Sequence, residues 1–294
     1  MLKRLLAQKT TILLVAGIII LVILTGVGLK AFSQRKVVLP EEEVDLPFNA
    51  DGPYALLSPR RDGNALSLNI KRVSDYDGIS YELAYQSQTE DKEMVDRGVT
   101  GTLDMQNKKS EYTQEILFGT CSKGDTSDPL HCVFDLNVEN GTLLLRIKQK
   151  PKPGDKVVKV YKINTTWHMQ KPDVALGLIT SADSHFSFKT LASRQDLNIV
   201  GLTLVNDLSG TPKIPEGKQI LGKVYAFNVP TAKQFPPGSV TIELAQNPPT
   251  DAQIGQYIEK DNNWKILETK ITGSNLTAQA DSAGLFTVFA NSPK

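Results

Sequence analysis

The chain of 294 residues is poor in the side chains that most often announce chemistry, with three histidines, two cysteines, two tryptophans and four methionines. His131, His168 and His185 are scattered and never take the His-Glu-x-x-His spacing that puts two ligands on one helix face. No Gly-x-Ser-x-Gly elbow, phosphate-cradling loop or dinucleotide fingerprint occurs. These absences point to a non-enzyme with no cofactor and no metal. Charge of one sign is missing too: 33 basic residues face 32 acidic ones, for a net charge of +1. With neither a basic excess nor a Lys/Arg stripe, a nucleic-acid partner is not expected. Beyond the amino-terminal segment there is no sustained helical period, which argues against a βαβ fold.

What is present begins with an oily run. Ile12 to Leu24 reads ILLVAGIIILVIL, and Thr10 to Leu29 carries no charge. Eleven of the thirteen residues from Ile12 to Leu24 are Ile, Leu or Val, which favours insertion at a bilayer centre by roughly 3 to 7 kcal/mol. Residues 10–29 are long enough to cross a hydrocarbon layer with little tilt. The expected order is a short cytoplasmic tail (1–9), a transmembrane helix (10–29) with the lipid bilayer as its partner, and an extracytoplasmic remainder. A cleavable secretory signal is the rival for the same residues, with Gly26 and Gly28 at a cleavage spacing, although its apolar region is usually shorter. Flanking charge does not orient the segment, since Lys3, Arg4 and Lys9 balance Lys30, Arg35 and Lys36. The two cysteines do, because a disulfide needs an oxidising compartment.

Residues 30–53 change character, with Pro40-Glu41-Glu42-Glu43 followed by Pro47, Asn49, Asp51, Gly52 and Pro53. An extended, self-repelling linker is expected there. Residues 54–171 then show period-two alternation. Leu66, Leu68 and Ile70 alternate with polar neighbours, as do Ile79, Tyr81, Leu83 and Tyr85, and again Leu143, Leu145 and Ile147. Such spacing marks half-buried strands. Residues 172–294, after Lys171-Pro172-Asp173, repeat the style with strands such as Ile220 to Val229 and Val240 to Leu244. Short strands punctuated by Gly, Pro, Asn and Asp predict an all-β chain of two tandem immunoglobulin-like antiparallel β-sandwich domains, 54–171 and 172–294.

Cys121 and Cys132 lie at the ends of a polar connection between Ile116-Leu117-Phe118 and Val133-Phe134. A disulfide is expected; free thiols, or a metal site using His131, are the alternatives, and a redox pair would more often be Cys-x-x-Cys. Asp125 and Asp128 in the same connection read as turn residues. Trp167 and Trp264 are possible ligand-facing aromatics, with packing at a domain edge as the plainer role for Trp167. Ser181, Asp183 and His185 stand close together in SADSH, although catalytic groups usually come from distant segments.

Trp264-Lys265-Ile266-Leu267-Glu268-Thr269, Leu276-Thr277-Ala278 and Gly284-Leu285-Phe286-Thr287-Val288-Phe289 read as short strands of a closing block. In wording and spacing it resembles the terminal block of bacterial and archaeal surface proteins. Leu117-Phe118-Gly119-Thr120-Cys121 with its later Cys resembles a phrase of membrane-anchored β-sandwich envelope proteins of small-genome bacteria. The resemblance implies a sandwich at a cell surface and carries over no active-site residue. The function expected is structural, adhesive or protein-binding, toward a protein or a cell-envelope polymer. A carbohydrate-binding module would need Trp167 or Trp264 exposed on a flat face, and an anchored hydrolase would need a concave pocket with a Ser/His pair or paired carboxylates.

Overall fold

Alternation is the property that builds this protein. In a computed structural model that describes residues 39–105, 109–121, 132–170, 177–189, 202–206, 210–229 and 237–293, the described residues form twenty strands and no α-helix. The amino-terminal uncharged run, the connection 122–131 with Asp125, Asp128 and His131, Gly201, and the boundary Lys171-Pro172-Asp173 lie outside the described residues.

The first strands in chain order are β1 (Glu41–Asp45), β2 (Tyr54–Pro59), β3 (Ala65–Lys71), β4 (Tyr76–Gln88) and β5 (Met94–Leu103). They are followed by β6 (Glu111–Leu117), β7 (Gly119–Cys121), β8 (Cys132–Phe134), β9 (Asn140–Gln149) and β10 (Val158–Gln170). Next come β11 (Leu178–Thr180), β12 (Phe186–Lys189), β13 (Leu202–Asn206), β14 (Lys218–Asn228) and β15 (Gly238–Glu243). The last are β16 (Gln253–Ile258), β17 (Asn263–Ile266), β18 (Thr269–Thr272), β19 (Asn275–Ala280) and β20 (Gly284–Asn291).

A ten-stranded sheet runs β17-β16-β20-β14-β13-β10-β9-β4-β5, with β1 added beside β10. It is continuous across the expected domain boundary, because β10 pairs antiparallel with β13 from Thr166↔Asn206 to Gln170↔Leu202. Residues Glu41–Lys294 form one compact unit. Two smaller sheets cover it: β2-β3-β6, and β11-β12-β15-β19-β18. A short ribbon, β7-β8, stands apart.

The strand patterns expected from sequence place their side chains as predicted. Leu66, Leu68 and Ile70, then Leu83, then Leu143, Leu145 and Ile147, are fully buried in the first core. The second core lies between the β14-β20-β16 part of the long sheet and the five-stranded sheet, and holds Phe186, Phe188, Phe227, Phe286 and Val288. Strands β14 and β20 contribute to both. Val224, Ala226, Leu285 and Phe289 join the first core, whereas Tyr225, Phe227, Phe286 and Val288 join the second. Burial on both faces explains their near-continuous apolar sequence, a pattern that one-sided strands do not show.

Two expectations are corrected. The acidic run is not a solvated spacer at its centre, since β1 pairs in parallel with β10, from Glu41↔Val158 to Asp45↔Lys162. Cations from the long sheet offset its self-repulsion: Lys148 binds Glu41 at 2.5 Å, Arg146 binds Glu43 at 3.1 Å, and Lys162 binds Asp45 at 3.2 Å. Trp264 to Thr269, expected as one strand, is two. It leaves the long sheet after Ile266 and enters the five-stranded sheet at Thr269. Leu267, buried between them, donates its N–H to Ile254 O at 2.9 Å, and the Thr269 hydroxyl accepts the Ile254 N–H at 2.9 Å.

Candidate functional site

The cysteines meet as expected. Cys121 and Cys132 sit opposite each other in the β7-β8 ribbon and are joined by a disulfide. The ribbon is held from several sides: Phe118 donates its N–H to Asn64 O at 2.9 Å, and the Arg60 guanidinium lies 5.8 Å from the Phe134 ring centroid. Beneath it, Phe118 stacks on Trp167 at 5.6 Å and meets Tyr85 edge-on at 4.9 Å. The Tyr85 hydroxyl donates to Asp135 at 2.7 Å. Burial first, and then that carboxylate, push the phenol well above the usual tyrosine range.

Both tryptophans are buried. Trp167 is 0% exposed and Trp264 is 6% exposed. A glycine lies beside each indole. Trp167 stands opposite Gly141, where an added Cβ would lie 2.4 Å from the indole and 2.3 Å from the Ala84 carbonyl oxygen. At Gly255 the same atom would meet the Phe289 ring at 2.3 Å and the Trp264 ring at 3.3 Å. The Trp167 indole is thus seated against backbone that only glycine leaves clear, Gly255 chiefly makes room for Phe289 beside Trp264, and both indoles are core.

Ser181, Asp183 and His185 do come together, but as a turn lock between β11 and β12. The Ser181 hydroxyl donates to Asp183 Oδ1 and accepts the Phe186 N–H at 3.0 Å. His185 Nδ1 sits 2.7 Å from the Asp183 carbonyl oxygen, and Lys223 Nζ contacts the Asp183 carboxylate at 3.2 Å. Among the described residues no hydrogen bond joins Ser181 to His185, so the contact by which an imidazole activates a hydroxyl is not made. His168, on β10, bonds Asn140 at 2.6 Å. Among the described residues no group of three or more His, Cys, Asp or Glu could hold a metal ion.

The described residues form an open groove of about 770 Å³, walled by the side chains of β2 on one side and by the ends of β14, β16 and β20 on the other. Tyr54, Leu56 and Ser58 project into it from alternate positions of β2, as period two requires. Asn228 clamps the two walls by donating to Leu57 O at 2.7 Å. At one end Lys71 hydrogen-bonds Glu259 and lies 3.8 Å from Glu111. Burial pulls the Lys71 ammonium down and the Glu259 carboxylate outweighs it, so its pKa stands above the ordinary lysine value. Desolvation raises the phenols of Tyr54 and Tyr257, whose rings both line the groove. The Arg72 guanidinium covers the Tyr54 ring at 5.2 Å. Below the rim, Gln256 donates to Ser282 O at 2.8 Å and to Ser282 Oγ at 3.1 Å.

The groove therefore offers two phenol rings, charges of both signs and an aliphatic strip, arranged along a strand. None of its key residues carries a local sequence signal, because Lys71 and Glu259 are 188 positions apart. No family model and no curated protein matches the chain.

Proposed function

We propose that the chain is a single-pass, membrane-anchored extracytoplasmic protein with a non-catalytic structural, adhesive or protein-binding role. Residues 10–29 span the bilayer as a helix, and Glu41–Lys294 is two immunoglobulin-like sandwiches fused through one sheet. Their groove engages an extended segment of a protein or an envelope polymer. The observation that carries the proposal is the Cys121–Cys132 disulfide, since such a bond persists in non-reducing compartments. The uncharged run Thr10–Leu29 supplies the anchor, and the two separate cores support the paired sandwiches. With both indoles packed inside, a carbohydrate-binding role loses the rings that motivated it.

The test is alkylation of intact cells with a membrane-impermeant maleimide, before and after an impermeant reductant. Both cysteines are expected to be unreactive at first and to label from outside once reduced. If both sulfurs are instead found reduced, and reachable only after lysis, the proposal fails.

A further inference from the structure

Sheet edges are where strand proteins most often add a partner, and native sequences blunt them with proline, lysine, bulges or short strands. β5 is one of the two terminal strands of the ten-stranded sheet and uses none of these. It reads MVDRGVTGTL and pairs with β4 from Ile79↔Leu103 to Gln88↔Met94 without a register shift. Its two charged residues are exposed, and both are drawn toward neighbours within the sheet. Asp96 accepts a hydrogen bond from Gln86 at 3.0 Å, while Arg97 reaches back to Ser87 Oγ at 3.3 Å and to Asp135 at 3.6 Å.

Hydrogen bonds fix which peptide groups face outward. Gln88 donates its N–H to Leu136 O at 2.8 Å, away from β5, whereas Thr89 donates to Glu93 O at 2.8 Å across the turn. Gln88↔Met94 is therefore a non-hydrogen-bonded pair, and the Met94 peptide groups point off the sheet. By the period of two, so do those of Asp96, Gly98, Thr100 and Thr102. All five residues are exposed, so among the described residues nothing covers that row.

We propose that β5 is a dimerisation edge that pairs antiparallel with β5 of a second copy of this chain, centred on Val99. Outward residues must meet outward residues, which restricts the two-fold registers. Centring on Asp96 or Arg97 places like charges face to face. Centring on Gly98 sets Val99 against Arg97 and Val95 against Gly101. Centring on Val99 sets Val99 against itself and Val95 against Leu103, while Gly98 meets Thr100 and Asp96 meets Thr102. Each of the last two pairings adds two backbone hydrogen bonds, and the apolar cross-strand contacts fall on one face. Val99 and Leu103 already pack against the first core, so the dimer carries that core across the two-fold axis.

The test uses the full-length chain in detergent. Sedimentation velocity is expected to show a dimer at micromolar concentration. Thr100→Pro removes an N–H that makes no bond to β4, and is expected to weaken the dimer at least tenfold while leaving the melting temperature within a few degrees of wild type. Register is read by Val99→Cys, whose thiols meet at the axis and are expected to form an interchain disulfide on mild oxidation, whereas Val95→Cys, facing Leu103, is not. The native cysteines are already joined to each other and do not compete. A monomer at all concentrations, a dimer that survives Thr100→Pro, or crosslinking of Val95→Cys as readily as Val99→Cys would overturn the proposal.

Discussion

The two halves of the ten-stranded sheet solve the same burial problem differently. On β9, Leu143, Leu145 and Ile147 are buried while Arg146 and Lys148 face outward among acidic partners. On β20, Leu285, Phe286, Thr287, Val288, Phe289 and Ala290 are all buried in succession. The first strand has one core to serve and alternates; the second is sandwiched between two cores and cannot. Alternation is therefore a statement about how many sides of a strand are covered, and its loss in a short run marks the middle of a layered stack.

The largest test of this contrast compares neighbouring positions. Leu285→Ala is expected to cost about 2 to 5 kcal/mol and Phe286→Ala about 3 to 5 kcal/mol, because each opens a cavity in a different core. On β9, Leu145→Ala should cost about as much as Leu285→Ala, and Arg146→Ala less than about 1 kcal/mol. Urea unfolding of the four variants checks it, and a costly Arg146→Ala would break the contrast. Next in size is the disulfide, which only the first core's surroundings possess. Closing that loop stabilises by about 3 kcal/mol in the chain-entropy account. Replacing Cys121 and Cys132 by Ser should lower the unfolding free energy by that amount and still give a single transition, since one sheet runs through both cores. Two resolved transitions would mean that the halves melt separately.

Much of the fold was legible because half-buried strands write their environment into every second residue. Leu66 to Ile70, Ile79 to Tyr85 and Leu143 to Ile147 could be placed from sequence alone. The misjudged features depend on partners outside their own strands. Glu41 to Asp45 looks self-repelling until Arg146, Lys148 and Lys162 are set beside it, more than a hundred residues on. Trp167, for which packing is the plainer reading, and Trp264 can both be taken for platforms until their burial places them in the core. Leu267 reads as mid-strand until two sheets compete for its neighbours. The disulfide was legible because its cysteines are the only two in the chain. The groove was invisible, since its walls come from β2 and from strands near the other end of the sequence.

A smaller effect sharpens the first core's side of the comparison. Burial and the Asp135 bond raise the Tyr85 pKa, so the unfolded chain releases this proton at lower pH than the folded one. The stabilisation is fully present below about pH 10, the ordinary tyrosine pKa, and is lost as pH rises from there toward the folded value. Stability should fall by about 1.4 kcal/mol per pH unit for this group in that window. Tyr85→Phe should flatten the slope measured by urea midpoints between pH 8 and 11. A residual slope should persist, because Tyr54, Tyr76, Tyr81 and Tyr257 are raised as well, each chiefly by burial.

The smallest effect concerns the outward face of β9 and β10, the side that β20 has no counterpart for. Glu41, Glu43 and Asp45 are about half exposed or more, at 51%, 50% and 85%, so their ion pairs work against water and salt. Each pair is expected to contribute only about 0.2 to 1 kcal/mol. Changing Glu41 and Glu43 to Gln and Asp45 to Asn should therefore cost about 0.6 to 3 kcal/mol at low salt if the pairs are independent. The difference from wild type should shrink as salt rises toward 1 M, where the screening length drops to about 3 Å. Amide exchange at Val44 separates this from a packing effect. Loss of the charges should speed exchange there while leaving Leu145 protected, because β1 can leave the sheet without uncovering β9. If Leu145 exchanged in step with Val44, the acidic strand would belong to the core's cooperative unit, and the sheet's outward face would matter to global stability no less than its inner one.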